Sequence, residues 1–95
     1  RVKLKRVTSL IDISILHIKS YSLSNKFYGY YSIIALNSAF RLCFYLNLTD
    51  FKSFCNYINP RISNLNSISK IRENNLLKFK SLIFLLFFNM LKYLK

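Results

Sequence analysis

From Ile33 onward the apolar residues recur with a helical period. Ile33, Leu36, Phe40, Cys43 and Phe44 fall at i, i+3, i+7, i+10 and i+11, one face of a helix. Ala35 and Ala39 are strong helix formers among them, and Arg41 lies off that face. Leu48-Thr49-Asp50 then reads as a helix start, with Thr49 as the cap and Asp50 complementing the positive end of the helix. Phe51, Phe54, Cys55 and Ile58 follow at i, i+3, i+4 and i+7. Asn59-Pro60 ends this short helix, because the residue before a proline is pushed out of the α region. Residues 61–69, rich in Ser and Asn, read as loop.

The last predicted helix is also the longest. Ser69 or a neighbour caps it, and Ile71, Leu76, Phe79, Ile83, Leu86, Met90 and Leu94 form one stripe of roughly six turns. Its first half is amphipathic, with Arg72, Lys78 and Lys80 near each other on the polar side. Residues 82–88 are apolar all round, the pattern of a segment enclosed by protein or by lipid. From this pattern Leu82, Ile83, Leu86 and Phe87 are expected to contact other protein elements.

The first third is harder to read. Residues 1–7 alternate charged and aliphatic side chains, which suits either a basic extended arm on a polyanion or a solvated edge strand. From Thr8 on, Ile11, Ile13 and Ile15 have strand period while Ile11, Ile15 and Ile18 have helix period. A helix capped by Thr8 or Ser9 is preferred, although β-branched residues weaken it. Residues 20–31 form a polar and aromatic connector holding Gly29, the only glycine. The expectation is therefore a single all-α domain over residues 1–95, with no internal repeat. Arg1 stands where a complete chain would carry Met, so a processed or incomplete start is expected.

Composition narrows the function. Hydrophobic residues make up 53% of the chain, which excludes a disordered basic tail. Asp12, Asp50 and Glu73 are the only carboxylates, dispersed in sequence, and His17 is the only imidazole. With one glycine there is no phosphate-cradling loop, so no enzyme, cofactor or small-molecule substrate is expected. Cys43 and Cys55 make no disulfide framework, and with His17 they lack metal-ligand spacing. They are read as buried thiols. Asn47-Leu48-Thr49 matches a glycosylation acceptor without a secretory signal to give it meaning. Residues 1–18 have the basic, acid-poor character of a targeting segment, but no small-residue cleavage site follows. Ile, Asn, Lys, Phe and Tyr supply 47 residues against nine from Gly, Ala, Arg and Pro, the signature of an A/T-biased genome such as an organelle's.

Charge then points to a partner. Fifteen Lys and Arg against three acids leave a net charge of +12, which calls for a polyanion: ribosomal RNA, DNA or an anionic membrane. The cations form two groups. Arg1, Lys3, Lys5 and Arg6 go with Lys19 and Lys26; Arg61, Lys70, Arg72, Lys78 and Lys80 make the second. Arg41 and Lys52 lie nearly alone between them. Tyr28, Tyr30 and Tyr31 beside Lys26 could stack on unpaired bases, but packing on the protein core is the preferred expectation. No common nucleic-acid-binding motif is present. A membrane span needs about 20 apolar residues. Residues 81–91 fall short between Lys80 and Lys92, and residues 28–48 contain Arg41 and Asn37. Cations flank both candidates on both sides, so no orientation follows.

The order of elements resembles one known family. Tyr28-Gly29-Tyr30-Tyr31 stands where small-subunit ribosomal proteins of the S-thirteen family have a glycine turn. Ala35-Leu36 and Arg41-Leu42 match their second helix, and Asn47-Leu48-Thr49-Asp50 their Asp-Leu-Thr helix start. Ile71-Arg72-Glu73 and Phe79-Lys80-Ser81-Leu82-Ile83 are similar to the opening of their long helix. The likeness covers about residues 27–83. Tyr31 replaces the second glycine of the turn, and Phe88-Asn89-Met90 replaces the Tyr-Arg-Gly that leads into the family's basic tail. The resemblance implies a helix-two-turn-helix-like core, one long C-terminal helix and no enzymatic activity. It also implies a place in the head of the small ribosomal subunit, against rRNA and neighbouring ribosomal proteins. The resulting expectation is a structural constituent of an organellar ribosome in the mitochondrial matrix, with a small hydrophobic accessory subunit of an inner-membrane respiratory complex as the alternative.

Overall fold

A computed structural model describes residues 2–22 and 24–93. Every extended regular element in it is helical: α1 (Leu4–Ser20), α2 (Lys26–Cys43), α3 (Leu48–Ile58), α4 (Ile62–Leu65) and α5 (Asn75–Leu91). Single 3-10 turns over Asn59–Arg61 and Asn66–Lys70 bracket α4. The small all-α domain read from the sequence is what the chain forms.

The basic start is helical and not an extended arm. Val7, Ile11 and Ser14 form one fully buried line at i, i+4 and i+7, so the helical repeat is already in use at Val7 and requires the turn before it. The helix accordingly opens at Leu4, with the Arg6 and Val7 amides donating to the Lys3 carbonyl. Neither Thr8 nor Ser9 caps it, and the Thr8 hydroxyl donates to the Lys5 carbonyl inside the helix at 3.1 Å. Arg1 lies outside the described residues.

The connector expected over residues 20–31 is also shorter, because α2 begins at Lys26 rather than near Ile33. Gly29 thus sits inside a helix, buried, instead of making a turn. Small residues hold this helix pair together. The Ser14 hydroxyl of α1 donates to the Ser32 carbonyl of α2 at 2.8 Å, and the Ser32 hydroxyl donates to the Gly29 carbonyl at 3.0 Å. A Cβ on Gly29 would come within 2.7 Å of both Ile71 Cγ2 and Tyr21 Cδ1. Glycine is required here for close approach. Gly29→Ala gains about 1 kcal/mol of helix propensity but forces an overpacked site, which costs about 1–3 kcal/mol. A net loss of about 1 kcal/mol is expected in urea unfolding.

Asn47, and not Thr49, caps α3: its side chain accepts the Asp50 amide at 2.8 Å. Asp50 is in the first turn, where its charge complements the helix. The helix stops at Ile58 as expected, but not because the chain leaves the α region. Asn59, before Pro60, stays right-handed helical (φ −48°, ψ −55°), and Pro60 sits in the first turn of the 3-10 segment that follows, where its missing N–H costs nothing. Residues 61–69 are not loop. Ile62, Leu65, Ile68 and Ile71 are all buried at three-residue spacing, the period of a tight 3-10 path, and this line closes the core beneath the Ser and Asn that face outward.

The largest departure concerns α5. It starts at Asn75, after Asn74 in the left-handed region (φ 54°), a conformation asparagine tolerates. Its 17 residues make it one shorter than α2. Its buried side is Ser81, Leu85 and Phe88. The ring of Phe88 stacks on Phe40 of α2 at 5.3 Å and meets Phe54 of α3 edge-on at 5.5 Å, while Phe84 lies 5.3 Å from Phe40. Leu76, Phe79, Ile83, Leu86 and Met90, the stripe expected to be core, are exposed; Leu76 is 68% and Leu86 60% accessible. Phe87 is exposed too, and Leu82 is half-buried against the core. Leu94 lies outside the described residues. Among those described, no helix is long and apolar enough to cross a membrane.

Candidate nucleic-acid interface

Two of the three carboxylates accept hydrogen bonds from tyrosine hydroxyls, and the third sits at a helix start. Asp12 on α1 accepts a hydrogen bond from the Tyr57 hydroxyl, Glu73 accepts one from Tyr21 at 3.3 Å, and Asp50 sits in the first turn of α3. Burial, ahead of the bond to Asp12, pushes the Tyr57 hydroxyl above its ordinary pKa. The positive charge therefore stays largely uncompensated on the protein surface.

Helix geometry redistributes the two basic groups. Lys3, Lys5 and Arg6 stand at the opening of α1 and Lys19 at its end. Fourteen helical rises, about 21 Å, separate Lys5 from Lys19. Lys19 and Lys26 instead bracket the short α1–α2 connection. In the second group, Lys70 and Arg72 are exposed in the segment before α5. Arg61 is half-buried, its guanidinium 3.7 Å from the centre of the Tyr57 ring and its Nη1 donating to the Tyr57 carbonyl at 2.7 Å. Lys78 and Lys80 do not share a face, since residues two apart on a helix point about 160° from each other. Lys78 is half-buried, with Nζ donating to the Ile71 carbonyl at 2.6 Å, a structural contact that ties α5 to the preceding segment. Lys80 faces the other way and pairs in space with Arg41, which the sequence left nearly alone. Together with Asn37, Phe44, Tyr45, Ile83 and Phe84 these two cations line an open cleft of about 750 Å³ between α2 and α5.

The tyrosines beside Lys26 do not pack into the core. Tyr28, Tyr30 and Tyr31 are 40–51% accessible, and Phe27 is 74% accessible. Lying outside the core, they form a ring cluster with His17 of α1, whose ring centroid is 5.7 Å from Tyr28 and 5.9 Å from Tyr31; Tyr30 meets Tyr31 at 5.9 Å. His17 Nδ1 is 2.8 Å from the Ile13 carbonyl. A carbonyl only accepts, so Nδ1 carries the proton. Sequence reasoning gave His17 no role. Its i, i+4 relation to Ile13 was visible, but its approach to α2 depends on how the helices pack.

Cys43 is fully buried, and burial, followed by the proximity of Cys55, pushes its thiol pKa up to about 12. Cys55 is half-buried. Among the described residues no group of three or more His, Cys, Asp or Glu is placed to hold a metal ion.

Fold and surface together define a small all-α domain with an apolar core, a basic exterior and an exposed apolar face on α5. No family model, no characterised protein and no solved structure matches the chain.

Proposed function

We propose that this chain is a non-enzymatic structural constituent of an organellar ribosome, binding rRNA through dispersed lysines and arginines. The observation that carries the reading is the net charge of +12 on a folded domain, two of whose three carboxylates are engaged by tyrosines. A compact domain so charged repels itself and is stabilised by a polyanion. Lys3, Lys5, Arg6, Lys19, Lys26, Lys70, Arg72 and Lys80 are the exposed candidates for phosphate contacts, joined by Arg41. Arg61 and Lys78 chiefly serve the fold. The A/T-biased composition and the S-thirteen resemblance in the order of helices support the finer reading, a place in the small subunit of a mitochondrial ribosome beside neighbouring ribosomal proteins. The resemblance does not extend to the family's glycine turn, since Gly29 is inside α2, or to its long-helix opening, since α5 begins after Ile71-Arg72-Glu73.

A second reading draws on α5. Its exposed stripe from Leu76 to Met90 runs about 21 Å, and apolar patches of that extent mark protein or membrane contacts. That suits a small hydrophobic accessory subunit of an inner-membrane respiratory complex. Differential extraction separates the two. If the chain binds rRNA, it sediments with ribosomal particles and is released by high salt. Retention in carbonate-washed membranes, with no response to salt, would replace the ribosomal reading with the membrane one.

A further inference from the structure

We infer that the exposed aromatic shelf where α2 begins is a stacking site for unpaired bases of single-stranded RNA. The inference rests on the RNA-binding reading above and adds to it a site and a class of ligand. Exposed rings on a helical domain ordinarily fold back onto the core, since each buries a large apolar area. Here four successive aromatic positions around Gly29, at Phe27, Tyr28, Tyr30 and Tyr31, all remain accessible. Close packing explains why they cannot turn inward. Gly29 is the residue of this turn that faces Tyr21 and Ile71, at a distance too short even for a Cβ, so the rings of its neighbours are directed elsewhere.

The rings are also ordered among themselves. Tyr31 makes T-shaped contacts with both His17 and Tyr30, at interplanar angles of 70° and 63°. His17 is itself anchored through Nδ1 to the Ile13 carbonyl. A T-shaped contact covers one face of only one of its two rings, so the cluster keeps ring faces open, and an ordered ring loses little entropy when a base stacks on it. Beside them, Phe27, Tyr30 and Tyr31 line a cleft of about 530 Å³ with Ser24, Lys26 and Glu73, within the ~300–1,000 Å³ range of small-ligand sites. Lys26 supplies a cation for the phosphate that accompanies a base. Glu73, held by Tyr21, makes the cleft a poor site for phosphate itself and a good acceptor for an exocyclic amino group on a base edge. Duplex RNA keeps its base faces stacked and offers none to such a shelf, so the ligand is single-stranded.

The whole chain is tested with a single-stranded RNA of about ten nucleotides and with a duplex of the same length. The chain has no tryptophan, and three of its seven tyrosines are on the shelf, so tyrosine emission compared between the parent and the tyrosine variants reports on stacking. The single strand is expected to bind more tightly than the duplex and to quench that emission. Tyr31→Leu and Tyr28→Leu are each expected to weaken single-strand binding roughly ten- to hundredfold, with helical circular dichroism and duplex binding unchanged. Tyr31→Phe, which keeps the ring, is expected to bind like the parent. Binding of both RNAs without sensitivity to either tyrosine overturns this site and leaves the RNA-binding reading standing. Binding of neither RNA overturns both.

Discussion

Phe88→Ala is expected to destabilise the domain by about 3–5 kcal/mol, the loss that follows from emptying a fully buried aromatic site. The ring is 1% accessible and is shared by α2 and α3 through Phe40 and Phe54, so no single helix can relax to fill the space. Phe87→Ala, one residue earlier, is expected to lose about 1 kcal/mol, because the ring is 41% accessible and much of its area stays in water. Leu86→Ala, with its side chain outward, should fall within the small range of surface substitutions, about 0.5 kcal/mol. Urea unfolding of the isolated chain reads all three. Comparable losses at positions 86, 87 and 88 would mean that α5 is rotated so that its sequence stripe, and not Phe88, enters the core.

RNA affinity is expected to fall about 10³- to 10⁵-fold between about 50 and 200 mM salt if six to ten phosphates are contacted. The cations available for this are exposed and spread over both ends of α1, the start of α2 and the segment before α5. Arg72→Gln and Lys80→Gln are each expected to reduce the salt slope by about 1. Lys78→Met is expected to act differently. Its ammonium is engaged with the Ile71 carbonyl, so its loss lowers stability and leaves the slope nearly as it was. Binding titrations across a salt series, paired with unfolding curves, distinguish these outcomes. A slope unchanged by Arg72→Gln and Lys80→Gln would remove both residues from the interface.

The tyrosines show why the surface was only partly legible. Tyr28, Tyr30 and Tyr31 next to Lys26, read as a string, favour a place in the core, yet all three are exposed. What decides the matter is where Gly29 points, and that depends on Tyr21 and on Ile71, forty-two residues further along the chain. The basic groups are similar. Lys78 and Lys80 look like neighbours in sequence, yet one is tied to the backbone and the other joins Arg41 in a cleft. Contacts between residues this far apart in sequence leave no local pattern.

By itself the sequence determined the all-α class, the buried face of α2 from Ile33 to Cys43 (though not Phe44, which is exposed), the existence of α3 and its end at Ile58, and the cationic excess. In each case the signal is local. Three- and four-residue spacing reports a buried face when polar residues occupy the other side, as they do around Phe54 and Ile58. Charge is a sum that folding does not change. Tertiary structure alone decided which side of α5 is core. From Leu82 to Phe88 that helix is apolar in every direction, so periodicity has no polar face to exclude. Hydrophobicity alone favoured the Leu76–Met90 stripe, but the fold put the side of Ser81, Leu85 and Phe88 inward, where Phe88 fits against Phe40 and Phe54. The segment over residues 61–70 was decided the same way. Its Ser and Asn suggested loop, while Ile62, Leu65 and Ile68 needed only the core beneath them to become a helical turn.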